Sequence, residues 1–287
     1  MKKCCIVGNG FFRYGSMDMQ IDELKRALTD LGAQVDVTYT DKVLAYITQK
    51  GAASTLGDYA FIVYLDKDVY ISHLLEKCGY TLVNSADAIE ICDDKMKTHL
   101  SLAGVVPAPK TLASPLQFKM TEDQYITEIE KVVDYPMVVK EVFGSLGANV
   151  HLAENREQLK SIRSALKLKP HIYQEFIGAG GSDLRLIVIG GKVVACMRRV
   201  NENDFRSNVE LGGRGEKVTP TKRQIEYAER AAKAIKLDYC GIDILSDQTG
   251  DYVCEVNSNA FWRAVSEVSG VNVAKAYAKY LFDRFFN

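Results

Sequence analysis

Two short runs near the end of the chain hold its most telling residues: Cys240-Gly241-Ile242-Asp243-Ile244-Leu245 and Tyr252-Val253-Cys254-Glu255-Val256-Asn257, with Ser-Asp-Gln-Thr-Gly-Asp between them. Apolar and β-branched residues around a polar, glycine-containing spacer predict two strands joined by a hairpin turn. Successive side chains alternate faces along a strand. Ile242, Ile244, Cys254 and Val256 are therefore expected on an apolar face, with Asp243, Glu255 and Asn257 together on the other. Carboxylates opposed across a ladder repel each other. A hard divalent cation between them removes that penalty, and all three side chains offer the oxygen ligands that magnesium prefers. The plainer reading of the same residues is the solvated polar face of an antiparallel sheet.

Lys140 closes the apolar run Tyr135-Pro136-Met137-Val138-Val139, and Gly144-Ser145-Leu146-Gly147 follows shortly after. A nucleotide's phosphates need cations and backbone N–H groups, which a strand-end lysine and a glycine-rich turn supply. The lysine precedes the glycines and a strand follows them, so this is not a Walker P-loop. An ordinary hairpin with an exposed lysine also accounts for the pattern. Gly190-Gly191 signals a second hairpin, joining residues 183–189 to 192–199. With those glycines as the two turn residues, Asp183 is expected opposite Arg198 and Arg185 opposite Cys196, and Asp183 and Arg185 share a face. A solvated cross-strand ion pair explains that arrangement too. Arg206 and Asn208, within Asp204-Phe205-Arg206-Ser207-Asn208, read by themselves as loop residues facing solvent.

The elements that must position these groups fall into three parts. Residues 1–92 alternate strands (4–7, 34–39, 59–65 and 80–83) with helices (19–31 and 69–77), which predicts a small open parallel sheet. Gly8-Asn9-Gly10 after the first strand has the look of a dinucleotide turn. However, Arg13 stands where the third glycine belongs and no acidic residue closes the second strand, so a plain tight turn is preferred. Residues 93–175 read as a helix ending before Pro107, the Lys140 hairpin, a helix over 156–166 and a strand over 172–176. Residues 176–287 hold the glycine hairpin, a helix over 221–236, the acidic hairpin and a closing helix over 273–285.

With 287 residues, 47% of them hydrophobic, the chain is long enough for two or three such units. A net charge of −1 gives no case for nucleic acid or a membrane surface as partner. The seven cysteines form no C-x-x-C pair and the four histidines show no ligand spacing, so buried reduced thiols are expected rather than zinc or disulfides. With no signal peptide and no membrane-length apolar run, the expectation is a cytoplasmic protein.

Taken in order, several segments resemble the ATP-grasp fold and, within it, the RimK-type ligases (the alpha-L-glutamate ligase family). They are Asn84-Ser85, Asp94-Lys95, Val139-Lys140 with its glycine turn, Gln174-Glu175-Phe176, Asp183-Leu184-Arg185, the Asp204 to Asn208 loop, Gly241-Ile242-Asp243, Glu255-Val256-Asn257 and Ser269-Gly270-Val271. The resemblance implies an α/β architecture. An N-terminal open parallel-sheet domain (1–92) precedes an ATP-grasp module of two α+β subdomains, one carrying the lid (93–175) and one catalytic (176–287). It implies that Lys95 and Lys140 contact ATP phosphates beneath a lid containing Gly144, Ser145 and Gly147. Glu175 and Phe176 would hold adenine, and Asp183 would reach the ribose. Arg185, Arg206 and Asn208 would face the transferring phosphoryl group or the acceptor carboxylate. Asp243, Glu255 and Asn257 would bind one or two magnesium ions, or manganese in their place.

The activity so implied is ADP-forming ligation of a small-molecule or peptide carboxylate to an amino-acid amine, through an acyl phosphate, in a homo-oligomer. The alternatives are a D-alanine–D-alanine-type ligase on the same fold and an ATP-binding regulator without catalysis. One departure bears on the substrate. Many relatives continue after the asparagine ligand with Ser-Pro-Gly, whereas this chain has Ser258-Asn259-Ala260-Phe261-Trp262-Arg263, a segment expected to border the acceptor pocket. Glutamate or another amino acid is therefore expected as the amine, added to a small molecule, peptide or protein. Trp262 and Arg263 read either as substrate contacts or as a core tryptophan beside a surface arginine.

Overall fold

Cys4, Cys5, Ile6 and Val7 are buried on both faces of the first strand, β1 (Lys3–Gly8), which makes it a central strand of a parallel sheet. The computed structural model describes residues 2–12, 15–116, 124–144, 147, 149–178 and 180–287. After β1 come α1 (Gly15–Asp30), β2 (Gln34–Tyr39), a hairpin of β3 (Ala45–Thr48) and β4 (Gly51–Ser54), β5 (Ile62–Leu65), α2 (Val69–Lys77) and β6 (Leu82–Val83). The sheet runs β2-β1-β5-β6 with every pairing parallel, as the strand–helix alternation predicts. The β3–β4 hairpin is an addition without a clear apolar period, neither strand being buried. Met17, Ile21, Leu24 and Leu28 of α1 recur at helical spacing and cover Cys4 and Ile6 on one face of the sheet. Cys5 and Val7 meet Leu75 and Ile89 on the other. A Cβ at Gly10 would lie 2.2 Å from Asp41 Oδ1, so close packing requires glycine in this turn.

In the middle part, α3 (Ala86–Asp93) and α4 (Lys95–Leu102) meet at Asp94. Its carboxylate caps the second helix, accepting the Met96 and Lys97 amides at 2.8 and 3.0 Å, and so sets Lys95 at a helix start. Then follow β7 (Thr111–Ala113), α5 (Gln124–Glu130), β8 (Met137–Glu141), β9 (Val150–Ala153), α6 (Arg156–Leu166) and β10 (His171–Glu175). Their sheet, ordered β7-β10-β8-β9, is antiparallel throughout. The glycine-rich turn joins β8 to β9, with Lys140 near the end of β8.

The last part contains β11 (Ser182–Ile189), β12 (Lys192–Val200), β13 (Arg214–Glu216), α7 (Lys222–Ile235), β14 (Tyr239–Ser246), β15 (Asp251–Asn257), α8 (Arg263–Ser269) and α9 (Val273–Phe286). Its antiparallel sheet is ordered β13-β12-β11-β14-β15. Two bulges correct the expected registers. Gly190 and Gly191 do form the turn, with φ of 56° and 76°. Beyond it, however, Val188 faces Val193 while Ile187 faces Ala195. Val194 is left over, so Asp183 lies opposite Arg199 rather than Arg198, and Arg185 opposite Met197 rather than Cys196. In the acidic hairpin Ile244 pairs with Val253 while Asp243 pairs with Glu255, which leaves Cys254 in the bulge. Val253 and Val256 accordingly pack with Ile242 and Ile244, and Cys254 leaves the apolar face to line the cleft that also holds Lys140.

Asn84 ties the first part to the last. Its Oδ1 accepts the Asp238 and Tyr239 amides at 2.8 and 3.0 Å, and its Nδ2 donates to the Tyr239 and Ser258 carbonyls at 2.8 and 3.0 Å. One hydrophobic cluster crosses the junction, from Ile6 and Leu24 to Trp262, Tyr277 and Leu281. Trp262 proves to be a core residue, its Nε1 donating to Glu23 of α1 at 2.8 Å, and the neighbouring Arg263 is exposed. No helix among the described residues is long and apolar enough to cross a membrane.

Candidate active site

The cleft between the middle and last sheets gathers residues from both. Lys140 enters from β8 and Lys95 from the start of α4, with Gly144 and Gly147 of the β8–β9 turn beside them. Lys95 Nζ donates to the Gly144 carbonyl at 3.0 Å. Burial holds this ammonium below the usual lysine range; the pull of Glu255 opposes that shift and the charge of Lys140 adds to it. Lys140 Nζ donates to Gln174 Oε1 at 2.7 Å. Gln174 Nε2 in turn reaches His99 Nε2 at 2.9 Å and Thr111 Oγ1 at 2.8 Å. With the amide oxygen turned to a lysine, the amide nitrogen must donate, so the buried His99 ring accepts and is neutral. Burial and the nearby Lys140 push its pKa down to about 4, against a weaker pull from Glu255. Glu175 and Phe176, at the end of β10, and Asp183 line the same cleft.

A buried quartet of charges forms the floor. Arg199 Nε donates to Asp183 Oδ1 at 2.8 Å, its Nη2 donates to Asp183 Oδ2, and the same Nη2 lies 2.9 Å from Asp243 Oδ2. Arg185 donates to both oxygens of Asp243, at 2.7 Å from Nη2 to Oδ2 and again from Nε to Oδ1. Two guanidinium groups against two carboxylates leave no net charge, which is what makes their burial tolerable. Burial alone would raise the Asp243 carboxyl, but Arg185 and Arg199 outweigh it and hold the group below the usual carboxylate range. Glu255 faces Asp243 across the ladder yet makes no hydrogen bond or ion pair among the described residues. Asn257 Nδ2 is buried without a hydrogen-bond partner among the described residues.

A second cavity, of about 520 Å³, adjoins the first and is lined by Arg185, Asn257, Asn9, Asp66 and Phe261, with Arg263 at its edge. Arg199, Asn208 and Glu255 line both cavities and so form the wall between them. Arg206 donates to the Asp204 carboxylate and, at 2.7 Å, to the Gly147 carbonyl, which joins its loop to the glycine turn.

The anticipated site residues thus collect around two connected cavities, with Arg185 and Asn257 on the second. Ser145 lies outside the described residues. Arg199 and His99 escaped sequence reasoning, and Gln174 entered it only as the neighbour of Glu175, without a role. Arg199 was only the last residue expected in the second strand of the glycine hairpin, and the bulge at Val194 concealed its partner. His99 and Gln174 are 75 residues apart and carry no shared motif.

The donor set suits a hard cation. Glu255 offers a carboxylate unengaged among the described residues and Asn257 an amide, while Asp243 Oδ1 accepts one N–H and keeps a lone pair. No group of three or more His, Cys, Asp or Glu side chains among the described residues could hold a metal ion by itself. A cation here would therefore share its shell with oxygens from a bound ligand, as magnesium does with phosphates.

Residues 92–281 match the RimK-like ATP-grasp domain. A probable alpha-L-glutamate ligase of Thioalkalivibrio sulfidiphilus is 39% identical over 265 residues, which cover 88% of this chain and 82% of that one. Among solved structures, a RimK domain ATP-grasp protein from Sphaerobacter thermophilus aligns with a TM-score of 0.72 at 19% identity, covering 97% of this chain and 99% of its own. The ATP-grasp ligase PsnB, complexed with a minimal precursor, Mg and ADP, aligns with a TM-score of 0.72 at 18% identity over 98% and 97% of the two chains. Those likenesses establish the fold.

Proposed function

The chain belongs to the RimK-like ATP-grasp family of ligases, and on that premise we propose that it joins a carboxylate to an amine at the expense of ATP, with magnesium, releasing ADP and phosphate. The observation that carries the reading is the wall shared by the two cavities. There Glu255, a carboxylate with no hydrogen-bond or ion-pair partner among the described residues, stands with Arg199 and Asn208 between a cleft edged by two lysines and a chamber of small-molecule size.

A carboxylate oxygen attacks the γ-phosphorus of ATP, ADP departs and an acyl phosphate forms. An amine then attacks the acyl carbon, phosphate leaves and an amide remains. The first step brings two anions together, so catalysis consists of positioning and charge neutralisation. Lys95 and Lys140 meet the phosphate tail, and Gln174 keeps Lys140 aimed at it. Glu175 and Phe176 hold the base. Asp183, expected at the ribose, gives both oxygens to Arg199 and so acts through that guanidinium. Arg199 and Asn208 stand where phosphoryl group and carboxylate meet, and Arg185 fixes Asp243. Gly144 and Gly147 close over the cleft, with Arg206 anchoring the turn, which keeps water from the acyl phosphate. Glu255, Asn257 and Asp243 would hold magnesium, whose charge neutralises the phosphates.

The test is a panel of carboxylates with ATP, magnesium and hydroxylamine, scored for hydroxamate; the relatives' names make L-glutamate the first amine to try afterwards. Glu255→Ala is expected to abolish ADP release while leaving the melting temperature close to wild type, and substantial residual turnover would exclude Glu255 as a ligand. A regulator without catalysis would bind ATP and release no ADP with any acid and amine. A D-alanine–D-alanine-type ligase would give hydroxamate with D-alanine.

A further inference from the structure

The turn Gly8-Asn9-Gly10 stands at the second cavity, across from the catalytic sheet. The strand order β2-β1-β5-β6 reverses direction between β1 and β5, and open α/β sheets bind ligands at such a reversal, beyond the carboxyl ends of the strands. The residues just beyond those two ends are Asn9 and Asp66, and both line the cavity. Asp66 is only 7% exposed. Its Oδ1 accepts from Asn9 Nδ2 at 3.0 Å and from the Lys67 amide at 2.7 Å, while its Oδ2 has no hydrogen-bond partner among the described residues. The Asn9 amide is locked in that orientation, because its Oδ1 accepts the Phe11 and Phe12 amides at 2.8 and 2.7 Å.

No Lys, Arg or His side chain among the described residues pairs with Asp66; the adjacent Lys67 ammonium lies 3.7 Å from Asp93. Burial holds the Asp66 carboxyl above its ordinary range against the opposing pull of Asn9, the Lys67 amide and the Thr40 hydroxyl, and Asp68 adds to the rise. A buried carboxylate with a free oxygen and no counter-charge among the described residues is costly to the fold unless it takes up a proton or a ligand supplies the cation. Magnesium demands several oxygens and finds one here. A primary ammonium needs only that one acceptor and gives a charge-assisted hydrogen bond in return.

We infer that Asp66, held by Asn9, receives the ammonium group of an amino-acid substrate in the cavity between the parallel sheet and Glu255. The inference rests on the ligase reading and narrows its substrates to a pair of which at least one member carries a free ammonium at this position.

The experiment titrates the full chain, with ADP and magnesium present, with L-glutamate, L-aspartate and L-alanine and with their deaminated counterparts glutarate, succinate and propionate. At least one amino acid is expected to bind about tenfold or more tightly than its counterpart, the usual yield of a hydrogen bond to a charged group. Asp66→Asn keeps an oxygen for Asn9 and the Lys67 amide, and it is expected to erase that preference while ADP affinity stays at the wild-type level. Should the variant fail to fold, the wild-type pairs decide the matter alone. Equal affinities within every pair, no binding by any of the six, or a folded variant with the preference intact would overturn the inference. Hydroxamate formation then identifies which substrate bears the ammonium. If it is the acid, Asp66→Asn loses hydroxamate; if it is the attacking amine, hydroxamate persists and only the amide with an amino acid is lost. Failure of the ligase reading itself has a different signature, namely no ADP release by the wild type with any acid.

Discussion

His99 provides a pH-dependent test of the arrangement that aims Lys140. The buried ring is pushed down to about 4 and accepts a hydrogen bond from Gln174, which in turn receives the Lys140 ammonium. In the unfolded chain a histidine titrates near about 6.5. The folded value is the lower one, so between the two the unfolded state binds more protons and stability rises with pH. The contribution is complete above about pH 6.5 and is lost as the pH falls toward about 4. A gap of roughly 2.5 pH units is worth about 3.4 kcal/mol in full, of which about 2 kcal/mol falls between pH 7 and pH 5. Urea unfolding followed by circular dichroism at those two pH values measures it, with His99→Gln as the reference because an amide oxygen can still accept from Gln174. The wild type is expected to lose about 2 kcal/mol more than the variant over that interval. Equal losses, or a ring that titrates above about pH 6 by NMR in the folded protein, would refute the reasoning.

Other outcomes follow from the charge quartet and the glycine turn. Arg199→Met removes both donors to Asp183 and one to Asp243, and is expected to cost about 3–5 kcal/mol in urea unfolding; a loss below about 1 kcal/mol would mean the pair is solvated. Asp183→Asn in the Arg199→Met background is expected to recover part of that loss, since it removes the stranded charge. Gly147→Ala is expected to slow ADP release at least about threefold with the melting temperature little changed. Gly147 has a φ of 72°, and a Cβ there would lie 3.0 Å from both Asn208 Oδ1 and Leu211 Cδ1. Wild-type turnover in this variant would show that the turn need not approach the Asn208 loop.

Local pattern placed the four parallel strands and the three later hairpins, while Lys95, Glu175, Phe176, Arg206 and Asn208 were singled out only through the resemblance to the ligases. Strand–helix alternation gave the parallel sheet around β1, the glycine pairs marked their turns, and the acidic hairpin showed its two carboxylates opposed across one ladder, a pattern that a solvated sheet face also explains. These signals depend on residues within a few positions of each other, so they survive without the fold. Which partner each group meets does not. Arg199 reaches Asp183 because Val194 bulges, and Cys254 leaves the core because its hairpin bulges in turn. A bulge is a response to sheet twist and to packing on both faces, and neither is written in composition. The Asn84 amide that docks the first part onto the last, and the Lys140–Gln174–His99 chain, likewise join residues far apart in sequence. Only the folded chain brings them within hydrogen-bonding distance, and each side chain takes its charge state and its orientation from that company.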